Sequence, residues 1–186
     1  MNFESNILLD TTIGEVQKAL RAGDQPAIAV LEGALFRQHS FADYLRDPAK
    51  AAGYDQRLAA EIPEVDLDRL IVAAPMVVTP LPAVGEDAQR LRSPFTGPVN
   101  ADHGEYEVIA YMLFDVADGV TTGMVPFTRN PDATFTFGAD GDEDFVVSIP
   151  VNPSQDFPGV GLLRLILDED LRLRADLRPS AGDTPQ

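Results

Sequence analysis

Cysteine and tryptophan are both absent from the 186 residues of this chain. Without cysteine there are no disulfides, no thiolate metal sites and no cysteine nucleophile. Apolar runs of about 18 residues, which a membrane-spanning helix needs, are also absent. The opening residues MNFESNILLD include Glu4 and no basic residue, a pattern that predicts no secretory signal. We therefore expect a cytoplasmic protein, or a component of a particle assembled in the cytoplasm.

Basic residues are scarce and lysine is rarest, with only Lys18 and Lys50. The chain has 14 Lys and Arg against 30 Asp and Glu, so its formal net charge is −16. Affinity for DNA comes largely from neutralising phosphates, which such a charge opposes. We expect no nucleic acid and no membrane among the partners.

Sequence motifs of common enzymes are missing as well. The chain contains no Gly-x-Ser-x-Gly nucleophile elbow, no Gly-x-Gly-x-x-Gly loop and no phosphate-binding P-loop. Its two histidines, His39 and His103, are too few for a three-histidine zinc site. We expect a protein that is not an enzyme and holds no cofactor.

Residues 1–62 show apolar residues at helical spacing and predict a helical segment. The predicted helices begin at Thr12, Asp24, Ser40 and Pro48. The first has the form of a capping box, Thr12 to Glu15, and Gly23 marks its end. The second carries the stripe Ile28, Leu31 and Leu35. These amphipathic helices need a surface to pack against.

Residues 63–104 predict one strand near 71–79, followed by a proline-rich connector. From 105 to 178 the apolar pattern changes to a period of two, which is typical of strands. Strands are predicted at 106–114, 120–127, 133–137, 145–151, 161–167 and 171–177, with a hairpin turn at Asp118-Gly119. The polar residues 179–186 form a tail. The fold class predicted is α+β, with helices preceding an antiparallel β-sandwich of about seven strands.

The segment from Ala133 to Leu177 resembles the second half of an immunoglobulin-like or fibronectin-III-like sandwich. The resemblance lies in the spacing of short alternating strands, and it covers about a quarter of the chain. The buried tryptophan and paired cysteines of antibody domains are absent. The resemblance implies a sandwich fold but no function, because such sandwiches have many unrelated roles.

Three aspartates in GADGDEDF, at Asp140, Asp142 and Asp144, have the spacing that opens a calcium-binding loop. Counting from Asp140, such a loop needs glycine at its sixth position and glutamate at its twelfth. Those positions hold Phe145 and Val151. We expect an exposed acidic turn here, with a weak calcium site as the alternative.

His103 lies between Asp102 and Glu105, and a histidine beside carboxylates suits a metal ion or a shared proton. The same residues also form an ordinary turn before a strand. The alternative function from another class is therefore a small metal-dependent β-barrel enzyme that uses His103 and nearby carboxylates.

The favoured function is a non-enzymatic structural or protein-binding component of a larger assembly, such as a phage or other bacterial particle. Apolar side chains in the helical segment need cover from a partner or from a second copy. Arginines that cluster on the last strands suit an acidic partner. The expected protein-binding residues are Leu31, Leu35, Phe36, Phe41, Arg164, Arg172 and Arg174.

Overall fold

A computed structural model describes residues 1–81, 89–138 and 157–176, with side chains up to Asp168. Its helices and strands, in chain order, are α1 (Phe3–Arg21), β1 (Ala27–Gly33), β2 (Phe36–Phe41), α2 (Pro48–Val65), β3 (Leu67–Pro80), β4 (Gln89–Arg92), β5 (Tyr106–Asp115), β6 (Gly119–Arg129), β7 (Phe135–Phe137) and α3 (Val160–Asp176). Two short 3₁₀ helices, Pro94–Thr96 and Ala101–His103, lie between β4 and β5.

The seven strands form one antiparallel sheet in the order β2-β1-β3-β5-β6-β7, and β4 pairs with the end of β3. An N-terminal helix and an antiparallel sheet confirm the mixed α+β class. The sheet curls into a half-barrel, and helices rather than a second sheet pack on its two faces in the described residues. The predicted two-sheet sandwich is therefore corrected to one sheet between helices. Strands from 1–62, from 63–104 and from 105–178 all belong to it.

The central strands β3 and β5 are buried on both faces, as the continuous apolar run 106–114 predicted. They pair with Ala73 opposite Tyr111, so alternate residues contribute to two cores. Met112 belongs to the core beneath α2 and α3, and Leu113 to the core beneath α1. The hairpin at Asp118-Gly119 joins β5 to β6, also as predicted.

Helix α1 covers one face of the sheet with Leu8, Leu9, Ile13, Val16 and Leu20. It begins earlier than the sequence indicated, because the Asn2 side chain accepts a hydrogen bond from the Ser5 amide and caps it. Thr12 is not a cap. It is a buried residue in the middle of α1, and its hydroxyl donates a hydrogen bond to the Leu8 carbonyl. The predicted end at Gly23 is confirmed.

Residues 27–41 form the hairpin β1–β2, so the helices predicted from Asp24 and from Ser40 are wrong. The run AIAVL fits helical spacing and also fits a strand buried on both faces. Burial on both faces favours the strand, because Ala29 and Leu31 contact one core while Ile28 and Val30 contact the other. The helix predicted from Pro48 is confirmed, with Asp47 as its cap.

Residues 160–176 form α3, so the strands predicted at 161–167 and 171–177 are wrong. Leucine and arginine have high helix propensity, and the helical spacing of Leu162, Leu163 and Ile166 places them in the core beneath α2 and α3. Arg172 and Arg174 therefore lie on a helix and not on one face of a strand. The strand predicted at 145–151 lies outside the described residues.

None of the described helices has the length and apolar character needed to cross a membrane.

Candidate protein-binding groove

A groove of about 290 Å³ lies between α1 and the hairpin β1–β2, at one edge of the sheet. It exists because α1 packs across β1, β3 and β5 but leaves the same face of β2 open. The groove is lined by Glu4, Ile7, Leu8, Thr11, Thr12 and Glu15 of α1, and by Ile28, Val30, Glu32, Phe36 and Gln38 of the hairpin.

Large apolar side chains are exposed along both walls of the groove. On α1, Ile7 lines the groove and is 50% exposed, and Phe3, which lies outside the lining one turn earlier on the same side of the helix, is 76% exposed. On β2, Phe36 is 57% exposed. Contiguous exposed apolar residues on a monomer mark interaction sites.

The rim of the groove is acidic. Glu4, Glu15 and Glu32 line it, and none of its lining residues is Lys, Arg or His. Glu15 also pairs with Lys18, which is exposed, at 3.7 Å. The groove thus combines an apolar floor with three carboxylates.

An ionic cluster, in which Asp115 is buried and Glu4 is largely exposed, joins the α1 wall to the sheet. Arg69 pairs with Glu4, with Glu32 at 3.3 Å and with Asp115 at 3.2 Å, so one base faces three acids. Burial would raise the pKa of Asp115, but hydrogen bonds from Ser5 and from nearby backbone amides outweigh it and hold the pKa below its usual range. The cluster joins the start of α1 to β1, β3 and β5.

Four of the residues predicted to bind a protein lie in or near β1 and β2, and two of them are buried while two are exposed. Leu31 and Phe41 are buried, and Phe41 stacks on Tyr54 with ring centroids 4.1 Å apart. Leu35 and Phe36 are exposed, but only Phe36 lines the groove. Four other lining residues, Glu4, Ile7, Leu8 and Thr11, were missed because residues 3–11 were not assigned to a helix; Asn2 as an N-cap was the available signal.

The remaining predicted residues lie apart from the groove. Arg164 is exposed on α3 and lines a second cavity, while the side chains of Arg172 and Arg174 lie beyond the described ones. Asp140, Asp142 and Asp144 also fall outside the described residues.

His103 is exposed at the end of a short 3₁₀ helix. Glu105 is engaged elsewhere, because Arg92 binds both of its oxygens and the amide of Asn100 donates to it at 2.9 Å. The hydrogen bonds from Arg92 and Asn100 lower the pKa of Glu105 to about 2. Within the described ranges, no group of three or more His, Asp or Glu is arranged to hold a metal ion.

A buried carboxyl joins α2 to the start of α3. Asp55 accepts a hydrogen bond from the Tyr44 hydroxyl at 2.9 Å and another from the Leu162 amide. A Cβ at Gly161 would lie 2.2 Å from Asp55 Oδ2, so glycine is needed for this approach. Burial raises the pKa of Asp55 to about 6, although the hydrogen bonds from Tyr44 and Leu162 act to lower it. The only signal in the sequence was an acid on the inner face of α2.

Asp55 gives stability a pH dependence whose sign follows from its raised pKa. The folded carboxyl has a pKa of about 6, against 3.8 ordinarily. Its contribution is therefore full below pH 3.8 and is lost as the pH rises through 6. We expect the free energy of unfolding to fall by about 1–1.5 kcal/mol through this group between about pH 5 and 7. Denaturant titrations of the native chain and of Asp55→Asn at both pH values measure this, and an unchanged pH dependence in the variant contradicts it.

Glu105 and Asp115, whose pKa values are lowered, do not interfere in this range. Their stabilising effect is present above their ordinary pKa values and is lost only in more acidic solution.

The fold and groove define an α+β protein whose curled sheet carries α1 on one face and has an open acidic groove at its edge. Comparison with protein-family models found no match, and searches of the curated proteins and of the solved structures found no significant match.

Proposed function

We propose that this protein is a non-enzymatic structural or protein-binding component of a larger assembly, built in the cytoplasm, and that it acts through the groove between α1 and β2. The observation that carries the proposal is the exposure of Ile7 and Phe36 at this groove, with Phe3 exposed one helical turn before Ile7. Covering these side chains with a partner removes apolar surface from water and so favours association.

A protein fits this groove better than a small ligand does. Pockets for small molecules bury most of the ligand in a concave site, whereas here large apolar side chains stand exposed on two walls. Aromatic anchors such as Phe3 and Phe36 are typical of the centres of protein interfaces.

The alternative, a metal-dependent enzyme at His103, has weaker support. Asp102 and His103 are exposed, and Glu105 is held by Arg92 in a bidentate pair. Release of Glu105 toward a metal would break that pair and the hydrogen bond from Asn100.

The test replaces groove residues with charges. The double variant Ile7→Glu, Phe36→Glu is expected to abolish partner binding or self-association, because it places two more acids where exposed apolar side chains line the groove. Both positions are exposed, so the melting temperature should change little. The matched control is Leu165→Glu with Leu167→Glu, which changes two exposed apolar residues of α3 on the other side of the sheet.

Light scattering reports the oligomeric state, and quantitative mass spectrometry compares the proteins captured by the native chain and by both variants. The proposal expects the α3 variant to behave as the native chain does and the groove variant to lose its partner. The proposal would be refuted if the native chain and both variants were all monomeric and captured the same set of proteins. Leu31, by contrast, is unsuitable for such a test because it is fully buried.

A further inference from the structure

Strand β2 lies at the end of the sheet order and pairs only with β1 among the described strands. Its other edge therefore presents backbone amides and carbonyls, which can pair with an added strand. Such edges recognise extended peptides by main-chain hydrogen bonds, and alternate side chains of the peptide give specificity. The following inference rests on the proposed function and specifies its partner.

The two faces of β2 differ in character. Phe36 and Gln38 line the groove, whereas His39 faces α2 and contacts Glu61 at 2.8 Å. Arg37 shares the face of His39 by alternation. A strand added beside β2 would thus direct every second side chain toward α1 and the groove.

The charges around the groove select the chemistry of that strand. Three carboxylates line the groove, and two neighbouring bases pair with them: Arg69 with Glu4 and Glu32, and the exposed Lys18 with Glu15 at 3.7 Å. Arg69 offsets part of this charge, but it is shared with Asp115 as well. Complementary charges at an interface rim accelerate and orient association, so an incoming segment needs Lys or Arg beside its apolar residues.

A second copy of this chain does not meet that need. In an antiparallel β2–β2 pair, the groove face of the second strand would bring Phe36, Gln38 and Ser40, none of which is basic. The net charge of −16 on each copy also opposes approach. The occupant is accordingly a different protein.

We propose that the free edge of β2 binds an extended basic segment of another protein, which adds a strand to the sheet and directs every second side chain toward the groove, where apolar side chains lie beside Phe36 and Ile7 and Lys or Arg side chains pair with the acidic rim.

The experiment uses the full chain and a displayed library of random peptides of about twelve residues, which exceeds the usual length of a strand. We expect the selected peptides to carry both apolar residues and Lys or Arg at every second position, which is the set of positions that faces the groove. Glu15→Lys should weaken their binding by about tenfold and reduce its dependence on salt. Glu64→Lys is the matched control, because Glu64 is exposed on α2 on the other face of the sheet, and it should leave affinity unchanged.

Hydrogen exchange separates strand addition from other modes of binding. Added main-chain hydrogen bonds should slow the exchange of those β2 amides that point away from β1. A helix seated in the groove would leave those amides unprotected. Any of four results would overturn the inference. The library could yield no binder, or the selected peptides could lack basic residues. The affinity could be insensitive to Glu15→Lys, or the β2 amides could stay unprotected.

The outcomes also distinguish this inference from the proposed function. If the peptides do not bind the Ile7→Glu, Phe36→Glu variant and do not protect the β2 amides of the native chain, strand addition is refuted. The groove then remains the proposed interface. Binding that survives the groove variant refutes both proposals. Dimerisation of the native chain through β2, detected by light scattering, overturns the basic partner in favour of a second copy.

Discussion

Replacing Arg69 with alanine is expected to lower the free energy of unfolding by about 3 kcal/mol. The substitution leaves Glu4, Glu32 and Asp115 together without their shared base, and Asp115 is only 3% exposed. Removal of one partner from a buried ion pair is costly because an uncompensated charge remains. Denaturant unfolding followed by circular dichroism at neutral pH measures the loss.

The pH dependence of this loss identifies its cause. Because the pKa of Asp115 is lowered in the folded chain, the difference between Arg69→Ala and the native chain should shrink as the pH falls below the ordinary value of 3.8 toward that lowered pKa. Arg37→Ala is the control, because Arg37 is exposed and donates only to the neighbouring Phe36 carbonyl among its described hydrogen bonds. A deficit below about 1 kcal/mol, or one equal to that of the control, would show that the cluster does not stabilise the fold.

Replacing Gly33 with alanine is expected to cost about 3 kcal/mol, at the upper end of overpacking effects. A Cβ on Gly33 would lie 2.0 Å from the Asp66 carbonyl oxygen and 2.7 Å from that of Val65. These atoms belong to the backbone at the end of α2, so they cannot move aside as a flexible side chain would. The register of β1 against β3 also shifts at Glu32/Gly33, where the chain approaches α2.

Gly53→Ala is the matched control for Gly33→Ala. Gly53 is exposed within α2, and a Cβ there meets nothing within 4 Å. Alanine has the higher helix propensity, so this variant should be more stable by about 0.5–1 kcal/mol. Thermal unfolding of both variants should therefore show shifts of opposite sign. Equal shifts would mean that the hairpin and α2 can move apart without a loss of stability.

The hairpin β1–β2 was predicted as helix for a reason that is visible in its residues. Ile28, Leu31 and Leu35 have helical spacing, but each lies in a different environment: Ile28 under α1, Leu31 under α2, and Leu35 exposed. Spacing in the sequence does not reveal that a segment is buried on both faces. Only the pairing of β1 with β3 establishes this.

The candidate site was predicted in part. Phe36 was expected to bind a protein because it lacked cover in the helical segment, and it is exposed at the groove. Glu4, Glu15 and Glu32 were not predicted, since they come from two elements that meet only in the folded chain. Arg69, which joins two of these glutamates, lies far from both in sequence.

By itself the sequence determined the charge, the absence of thiol chemistry and the apolar character of the central strands. The run at 106–114 has apolar residues in both alternating sets and fits one environment, a strand covered on both sides. It also determined local signals such as the helix that begins at Pro48 and the stop at Gly23. Each depends on neighbouring residues alone.

Tertiary structure decided which apolar segments became strands and which became helices. In 161–167 the pattern fits both periods, and packing of Leu162 beneath α2 selects the helix. The groove likewise exists only because α1 covers β1, β3 and β5 and leaves β2 open. Burial depends on residues that are distant in the chain, so the environment of an ambiguous segment is fixed only when the whole sheet has formed.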